Sequence, residues 1–147
     1  MDRIYDALTT IPRFELIEKL VGAQKEGIAT FVHFLYFASA DIHNLYSTED
    51  SDYALELLKA NYLLPDGIAI RLLHFARSNP KLSGWKILFQ YPKYSRMAIE
   101  NKNGTDFIPE LIAALSRGTH IVMYGTTPLG IGPAIDYIKT RFGLRVT

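Results

Sequence analysis

A short apolar run that turns into a helical pattern at a carboxylate constrains this chain more than any other feature. The run Tyr62–Leu64 is followed by Pro65, Asp66 and Gly67, and an apolar-rich helical pattern covers 67–78. In an α/β fold this order puts Asp66 at the carboxyl end of a strand and the amino end of a helix, where such sheets bind ligands. A carboxylate there acts as a general base, as an acceptor for a sugar or ribose hydroxyl, or as a helix cap.

The composition is that of one soluble globular domain without a nucleic-acid partner. The chain has 147 residues, 48% of them hydrophobic and 21% charged, with a net charge of +1. This length supports an ordinary core, and the charge gives no electrostatic footprint for nucleic acid. Because there is no cysteine, disulfides and thiolate metal sites are excluded, as fits a cytoplasmic protein. The longest apolar run, 28–40, falls short of the ~20 residues that span a bilayer.

Strand-like and helix-like segments alternate along the sequence. Apolar and β-branched runs predict strands at 28–37, 62–64, 120–124 and from 144 onward. Apolar spacing predicts a first helix capped at Thr10 and ended by Gly27, and further helices over 53–60, 67–78, 106–117 and 131–142. The alternation predicts one α/β domain over 1–147, with a Rossmann-like, mostly parallel sheet and helices on both faces. Because a strand begins where the chain stops, we expect this sheet to be incomplete.

Two more polar segments precede helical patterns. Gly125–Gly132 joins a strand to a helix, where glycines and unpaired N–H groups can bind a diphosphate. A plain strand-to-helix turn explains this segment equally well, since it matches neither the Walker loop nor Gly-x-Gly-x-x-Gly. Asn103-Gly104-Thr105-Asp106 is most simply a turn followed by a helix capped at Thr105, with an acid that favours the helix dipole.

Several classes of function find no support in the sequence. The four histidines lack the spacing of metal ligands, and we predict no metal site. His43 is the one histidine whose polar surroundings suit a substrate. No order of Ser, His and Asp suggests a hydrolase, and the missing dinucleotide fingerprint argues against a dehydrogenase.

Taken in order, these blocks resemble the WecG/TagA/CpsF family of glycosyltransferases. The matching blocks are Leu64–Ala69, Asn103–Pro109, Val122–Gly125 with Pro128–Gly130, and Tyr137–Val146. The resemblance implies a bacterial inverting enzyme that needs no metal or cofactor. Such an enzyme moves an N-acetylhexosamine, such as N-acetylmannosamine, from a UDP-sugar to a polyprenyl-diphosphate-linked acceptor in cell-surface polysaccharide synthesis. It further implies a cytoplasmic protein, peripheral at the inner face of the membrane, that self-associates.

The resemblance also assigns roles by position. Asp66 becomes the general base that takes the proton of the acceptor hydroxyl. The substrate-binding residues that it implies are Ser39, Asp41, Gly67, Gly104, Asp106, Gly125, Thr126 and Gly130. Among these, Ser39 or Asp41 stands where the family carries the asparagine of a Thr-x-Asn motif. The stretch from Gly67 to Gly104 is longer than the family's, which predicts an insertion around 81–95.

One alternative from a different class stays open. The chain ends before the family's second half, which contributes to the donor site, so we expect a C-terminally truncated member that is not fully active alone. The alternative is therefore a non-catalytic α/β remnant that binds a nucleotide or a partner chain.

Overall fold

The computed structural model of the chain describes residues 2–36, 52–124 and 128–147. These residues form a mixed α/β structure with two compact units, Met1–Phe107 and Ile108–Thr147. The strands are β1 (Val32–Tyr36), β2 (Tyr62–Asp66), β3 (His120–Ile121) and β4 (Arg145–Val146). The helices are α1 (Asp2–Asp6), α2 (Arg13–Lys25), α3 (Asp52–Leu57), α4 (Gly67–Ser78), α5 (Gly84–Phe89), α6 (Tyr91–Met97), α7 (Gly104–Ala114) and α8 (Pro128–Phe142). No helix in the described part of the chain is long and apolar enough to cross a membrane.

Strands β1 and β2 pair in parallel in the first unit. The register runs from Val32 opposite Tyr62 to Tyr36 opposite Asp66. Because the strands run in the same direction, both carboxyl ends lie at one edge of the pair. Asp66 ends β2 at this edge.

Strand β2 continues through Pro65, two residues beyond the predicted end at Leu64. Leu63, Leu64 and Pro65 are almost completely buried. Pro65 has no backbone N–H to donate. Its carbonyl oxygen accepts a hydrogen bond from the Lys102 N–H at 3.1 Å. On the N-terminal side, Leu8 forms a parallel bridge with Leu63. The strand is therefore enclosed along its length, which accounts for its fully apolar centre.

The core of the first unit lies around this strand pair. Its buried members come from α1 and the turn that follows it, from β1, α3 and β2, and from α4. They are Ile4, Tyr5, Leu8, Leu35, Leu57, Leu63 and Ile70. A second cluster joins α4 to the two short helices through Phe75, Ile87 and Tyr94. Arg71 reinforces this connection, because its guanidinium donates to the Ile99 and Ser95 carbonyls.

The second unit is built on a parallel pair of its own. His120 pairs with Arg145 and Ile121 with Val146. Its buried cluster consists of Ile112, Ile138, Leu144 and Val146. The predicted strand at the end of the chain is thus confirmed as the partner of β3.

The predicted α/β class, with parallel strand pairs, is confirmed at this level. The helix predicted over 67–78 agrees with α4 at both ends, and Gly27 has the left-handed φ of 70° expected where α2 ends. The strands predicted at 28–37 and 120–124 are shorter than expected. Ile28, Phe31, Val122 and Tyr124 are apolar but exposed, so their β-propensity is not supported by burial.

Helix ends account for the remaining differences. Pro12 stands at the N-cap of α2 in place of the predicted Thr10. Helix α8 begins at Pro128, three residues before the predicted start, because proline suits the first turn of a helix. The segment 79–103, which includes the predicted insertion around 81–95, contains the short helices α5 and α6.

Truncating a core side chain of β2 should destabilise the chain strongly. Leu63 is 2% exposed and belongs to the main cluster, so we expect Leu63→Ala to lower the free energy of unfolding by about 2–5 kcal/mol. Leu88, which is 65% exposed, is the matched control. Leu88→Ala should change the free energy of unfolding by less than about 0.5 kcal/mol. Urea unfolding followed by circular dichroism measures both. Equal losses in the two variants would contradict this description of the core.

Candidate functional site

Asp66 lies where the first strand pair ends. It is the last residue of β2 and the N-cap residue of α4, with an extended backbone at φ −102° and ψ 123°. Its side chain makes no capping hydrogen bond to α4 and is only partly buried. The sequence left Asp66 three roles: a general base, an acceptor for a sugar or ribose hydroxyl, and a helix cap. The Asp66 side chain does not act as the helix cap.

Asn101 satisfies the helix end instead. Gly67 has a left-handed φ of 81°, a conformation that costs other residues ~1–2 kcal/mol. Its N–H donates to Asn101 Oδ1 at 2.9 Å. The side chain of a residue 34 positions away thus takes the place that a local cap would occupy.

A second hydrogen bond joins the same two segments. The Lys102 N–H donates to the Pro65 carbonyl at 3.1 Å, next to the bond between Gly67 and Asn101. We refer to these two bonds together as the strand-end clasp. The clasp fixes the backbone on both sides of Asp66 to residues 101–102.

The Asn-Gly-Thr-Asp block follows directly from the clasp. Asn103 Oδ1 accepts the Asp106 N–H at 2.8 Å, so Asn103 caps α7 and the predicted cap at Thr105 is wrong. Gly104 is the first residue of the helix, and Asp106 is exposed in its first turn. The structure therefore brings the segment of Gly104 and Asp106 to the strand end that carries Asp66 and Gly67.

Lys102 is the buried charged residue of this region. Its side chain is enclosed, and its ammonium donates to the Thr9 carbonyl at 3.4 Å. Burial lowers the pKa of the Lys102 ammonium, the Glu100 carboxylate opposes this, and the Arg71 and Arg13 guanidiniums lower it further. The side chain ties the chain after α1 to the segment of the clasp at an electrostatic cost.

The other predicted binding residues lie outside the described residues or in the second unit. Ser39, Asp41, Gly125 and Thr126, and also His43, lie outside the described residues. Gly130 is in the first turn of α8, in the second unit. The diphosphate role of the 125–130 loop stays a prediction.

Two other histidines of the chain lie in different units, His120 beside Thr147 and His74 on α4. His120 Nε2 lies 3.0 Å from Thr147 Oγ1. Burial lowers the pKa of His74. The Asp6 carboxylate acts to raise this pKa, and the Arg77 guanidinium acts to lower it further. Within the described ranges there is no group of three or more His, Asp or Glu side chains that could hold a metal ion.

An apolar groove of 670 Å³ lies along α4 in the first unit. It is lined on one side by α4 from Ile68 to Ala76 and on the other by Gly84, Ile87, Leu88 and Tyr91. Ile68 comes two residues after Asp66, so the groove begins at the first turn of the helix that follows the carboxylate.

The residues that sequence reasoning missed are Asn101 and Lys102. The polar run 100–103 before α7 is visible in the sequence, but its pairing with Pro65 and Gly67 depends on the folded chain. Comparison with protein-family models, with curated proteins and with solved structures finds no match to this chain.

Removing the Asn101 side chain should loosen the clasp. We expect Asn101→Ala to lower the free energy of unfolding by about 0.5–1.5 kcal/mol, because the Gly67 N–H loses its acceptor. Asn101→Asp keeps an acceptor oxygen and should lose less. Chemical denaturation of the three proteins measures this, and equal losses for Ala and Asp would show that the hydrogen bond is not what Asn101 contributes.

Lys102 predicts a pH dependence with a definite sign. The folded chain releases the Lys102 proton at a lower pH than the unfolded chain, so the buried ammonium destabilises the fold where Lys102 is protonated in both states, and this cost is lost as the pH rises. We expect Lys102→Met to be more stable than wild type at neutral pH. This advantage should shrink as the pH rises towards the ordinary pKa of lysine.

Denaturation series at several pH values test this, with the exposed Lys25→Met as control. A difference between Lys102→Met and wild type that stays constant from neutral to alkaline pH would contradict the burial argument.

Proposed function

We propose that this chain is a glycosyltransferase with a Rossmann-like fold, in which Asp66 is the general base. The donor in this proposal is a UDP-activated N-acetylhexosamine, and the acceptor is a sugar linked to polyprenyl diphosphate. The observation that carries the proposal is the strand-end clasp. It joins the Asp-Gly block to Asn101 and Lys102, which directly precede the Asn-Gly-Thr-Asp block, at one end of a parallel strand pair.

The position of this site agrees with the physics of α/β sheets. Ligands bind outside the carboxyl ends of parallel strands, at the amino ends of the helices that follow. Helices α4 and α7 both begin beside the clasp, with Gly67 and Gly104 as their first residues. Neither glycine has other atoms near the position that a Cβ would occupy, so substrate has room to approach the backbone.

The proposed reaction is a single displacement at the anomeric carbon. The acceptor hydroxyl oxygen forms the new bond, its proton passes to the Asp66 carboxylate, and the bond to the UDP oxygen breaks with its electron pair. A carboxylate that is not spent on capping its own helix suits this role. Substrate that covers Asp66 and excludes water would strengthen it as a base.

The apolar groove supports a lipid-linked acceptor. It begins at Ile68 and is lined by apolar side chains along α4. A polyprenyl chain in this groove would leave its diphosphate-linked sugar near the strand end that carries Asp66.

Turnover with a lipid-linked acceptor tests the proposal. UDP-N-acetylmannosamine and a polyprenyl-diphosphate-linked N-acetylglucosamine are incubated with the full chain, and released UDP is measured. We expect Asp66→Asn, which keeps the size of the side chain but cannot take the proton, to lower kcat about 10²–10⁴-fold. Asp136→Asn changes an exposed carboxylate of α8 and should leave kcat unchanged.

Two results would contradict the proposal. Turnover that is unaffected by Asp66→Asn would remove the base. A wild-type chain without turnover that still binds UDP would favour the non-catalytic remnant.

A further inference from the structure

The segment between α4 and the clasp carries a concentrated positive charge. From Asn79 to Ile99 there are three lysines and one arginine and no Asp or Glu, although the whole chain has a net charge of +1. All four cations, Lys81, Lys86, Lys93 and Arg96, are exposed. Among the described residues none of the four is in an ion pair.

The same segment exposes large apolar side chains. Trp85 is 74% exposed, Leu88 65% and Phe89 84%. The rings of Trp85 and Phe89 lie one turn apart on α5, with centroids 6.4 Å from each other. At 100° per residue, these three side chains fall within a sector of about 100° on the helix. We call them the aromatic face of α5.

The aromatic face is held outward by the packing of α5. Ile87 is 3% exposed and packs with Phe75 and Tyr94. The helix is capped by Ser83, whose Oγ accepts the Lys86 N–H at 3.2 Å. Turning Trp85 and Phe89 inward would expel Ile87 from its cluster, so their exposure is a consequence of the fold.

We propose that α5 and α6 form a surface that docks on a membrane containing anionic lipid. Side chains of Trp, Phe and Leu enter the boundary between headgroups and acyl chains, while exposed lysines bind anionic headgroups. This inference uses only the surface of the segment and does not rest on the proposed glycosyltransferase activity.

Charge decides between a membrane and a second copy of the chain. A two-fold symmetric dimer through this surface would bring the same patch of each copy together. The four cations of one copy would then meet the four cations of the other, with no carboxylate in the segment to separate them. An anionic lipid surface supplies the opposite charge.

The chain contains a built-in reporter for this interaction. Trp85 is its one tryptophan, so its fluorescence reports the aromatic face alone. Vesicles of phosphatidylglycerol and phosphatidylcholine should shift its emission to the blue and protect it from aqueous quencher. Vesicles of phosphatidylcholine alone should bind at least about tenfold more weakly, since each lysine near an anionic surface contributes ~1 kcal/mol.

Sedimentation with the same vesicles tests the two components separately. Lys86→Glu with Lys93→Glu should reduce binding at least about tenfold, and Phe89→Ser should also reduce it. The matched controls are Lys25→Glu and Phe14→Ser, both exposed residues of α2, which should bind as wild type does. Far-ultraviolet circular dichroism verifies that each variant is folded.

Three outcomes would overturn the docking surface. One is an unchanged Trp85 emission with anionic vesicles. Another is equal binding to anionic and neutral vesicles. The last is a blue shift that grows with protein concentration in the absence of lipid, which would identify a second copy of the chain as the occupant.

Discussion

The hydrogen bonds of the strand-end clasp are the interactions on which the described site depends. Pro65, the next-to-last residue of β2, has no N–H to donate, and Gly67, which follows the last residue Asp66, opens α4 with a left-handed backbone. Their free polar groups, the Pro65 carbonyl and the Gly67 N–H, are both satisfied by residues 101–102. Each bond contributes only ~0.5–1.5 kcal/mol net. Their effect is mainly positional, because they hold the backbone before and after Asp66 at the end of the parallel pair.

The same connection explains why a charged side chain is buried here. Lys102 lies against β2, where its N–H reaches Pro65, and its buried side chain extends to the Thr9 carbonyl. Burying the ammonium lowers the free energy of unfolding, and the hydrogen bonds of this chain path offset that loss. Stability and the geometry of the candidate site are therefore coupled through one residue, and substitutions there are expected to affect both.

The sequence predicts the local structure well where burial and pattern agree. Helix α4 follows from its apolar spacing, and the carboxyl-end position of Asp66 follows from the strand-to-helix order. Local patterns do not reveal which side chain caps a helix when the cap comes from far along the chain. Asn101 is such a case for α4. They also misplace strand ends such as Ile28 and Tyr124, because β-propensity depends on neighbours that only the folded chain provides.

The candidate site is predictable to a similar extent. Asp66 could be singled out from its position between a strand and a helix, whereas Gly67, Gly104 and Asp106 are implied by the family resemblance. The structure brings the segments of these residues together. The clasp could not be foreseen, because it depends on a pairing 34 residues apart. The aromatic face of α5 could not be foreseen either, since aromatic residues in a sequence are as readily interpreted as core. Its exposure follows from Ile87 alone occupying the inward position.

Backbone NMR with added UDP tests the central claim most directly. In a ¹⁵N-labelled sample of the full chain, the amides of Gly67 and Gly104 report the two segments that the clasp joins. If both segments form one nucleotide-sugar site, these two signals should shift together on addition of UDP and give a single dissociation constant. Saturable shifts confined to other parts of the chain, with Gly67 and Gly104 unaffected, would contradict a binding site at this strand end.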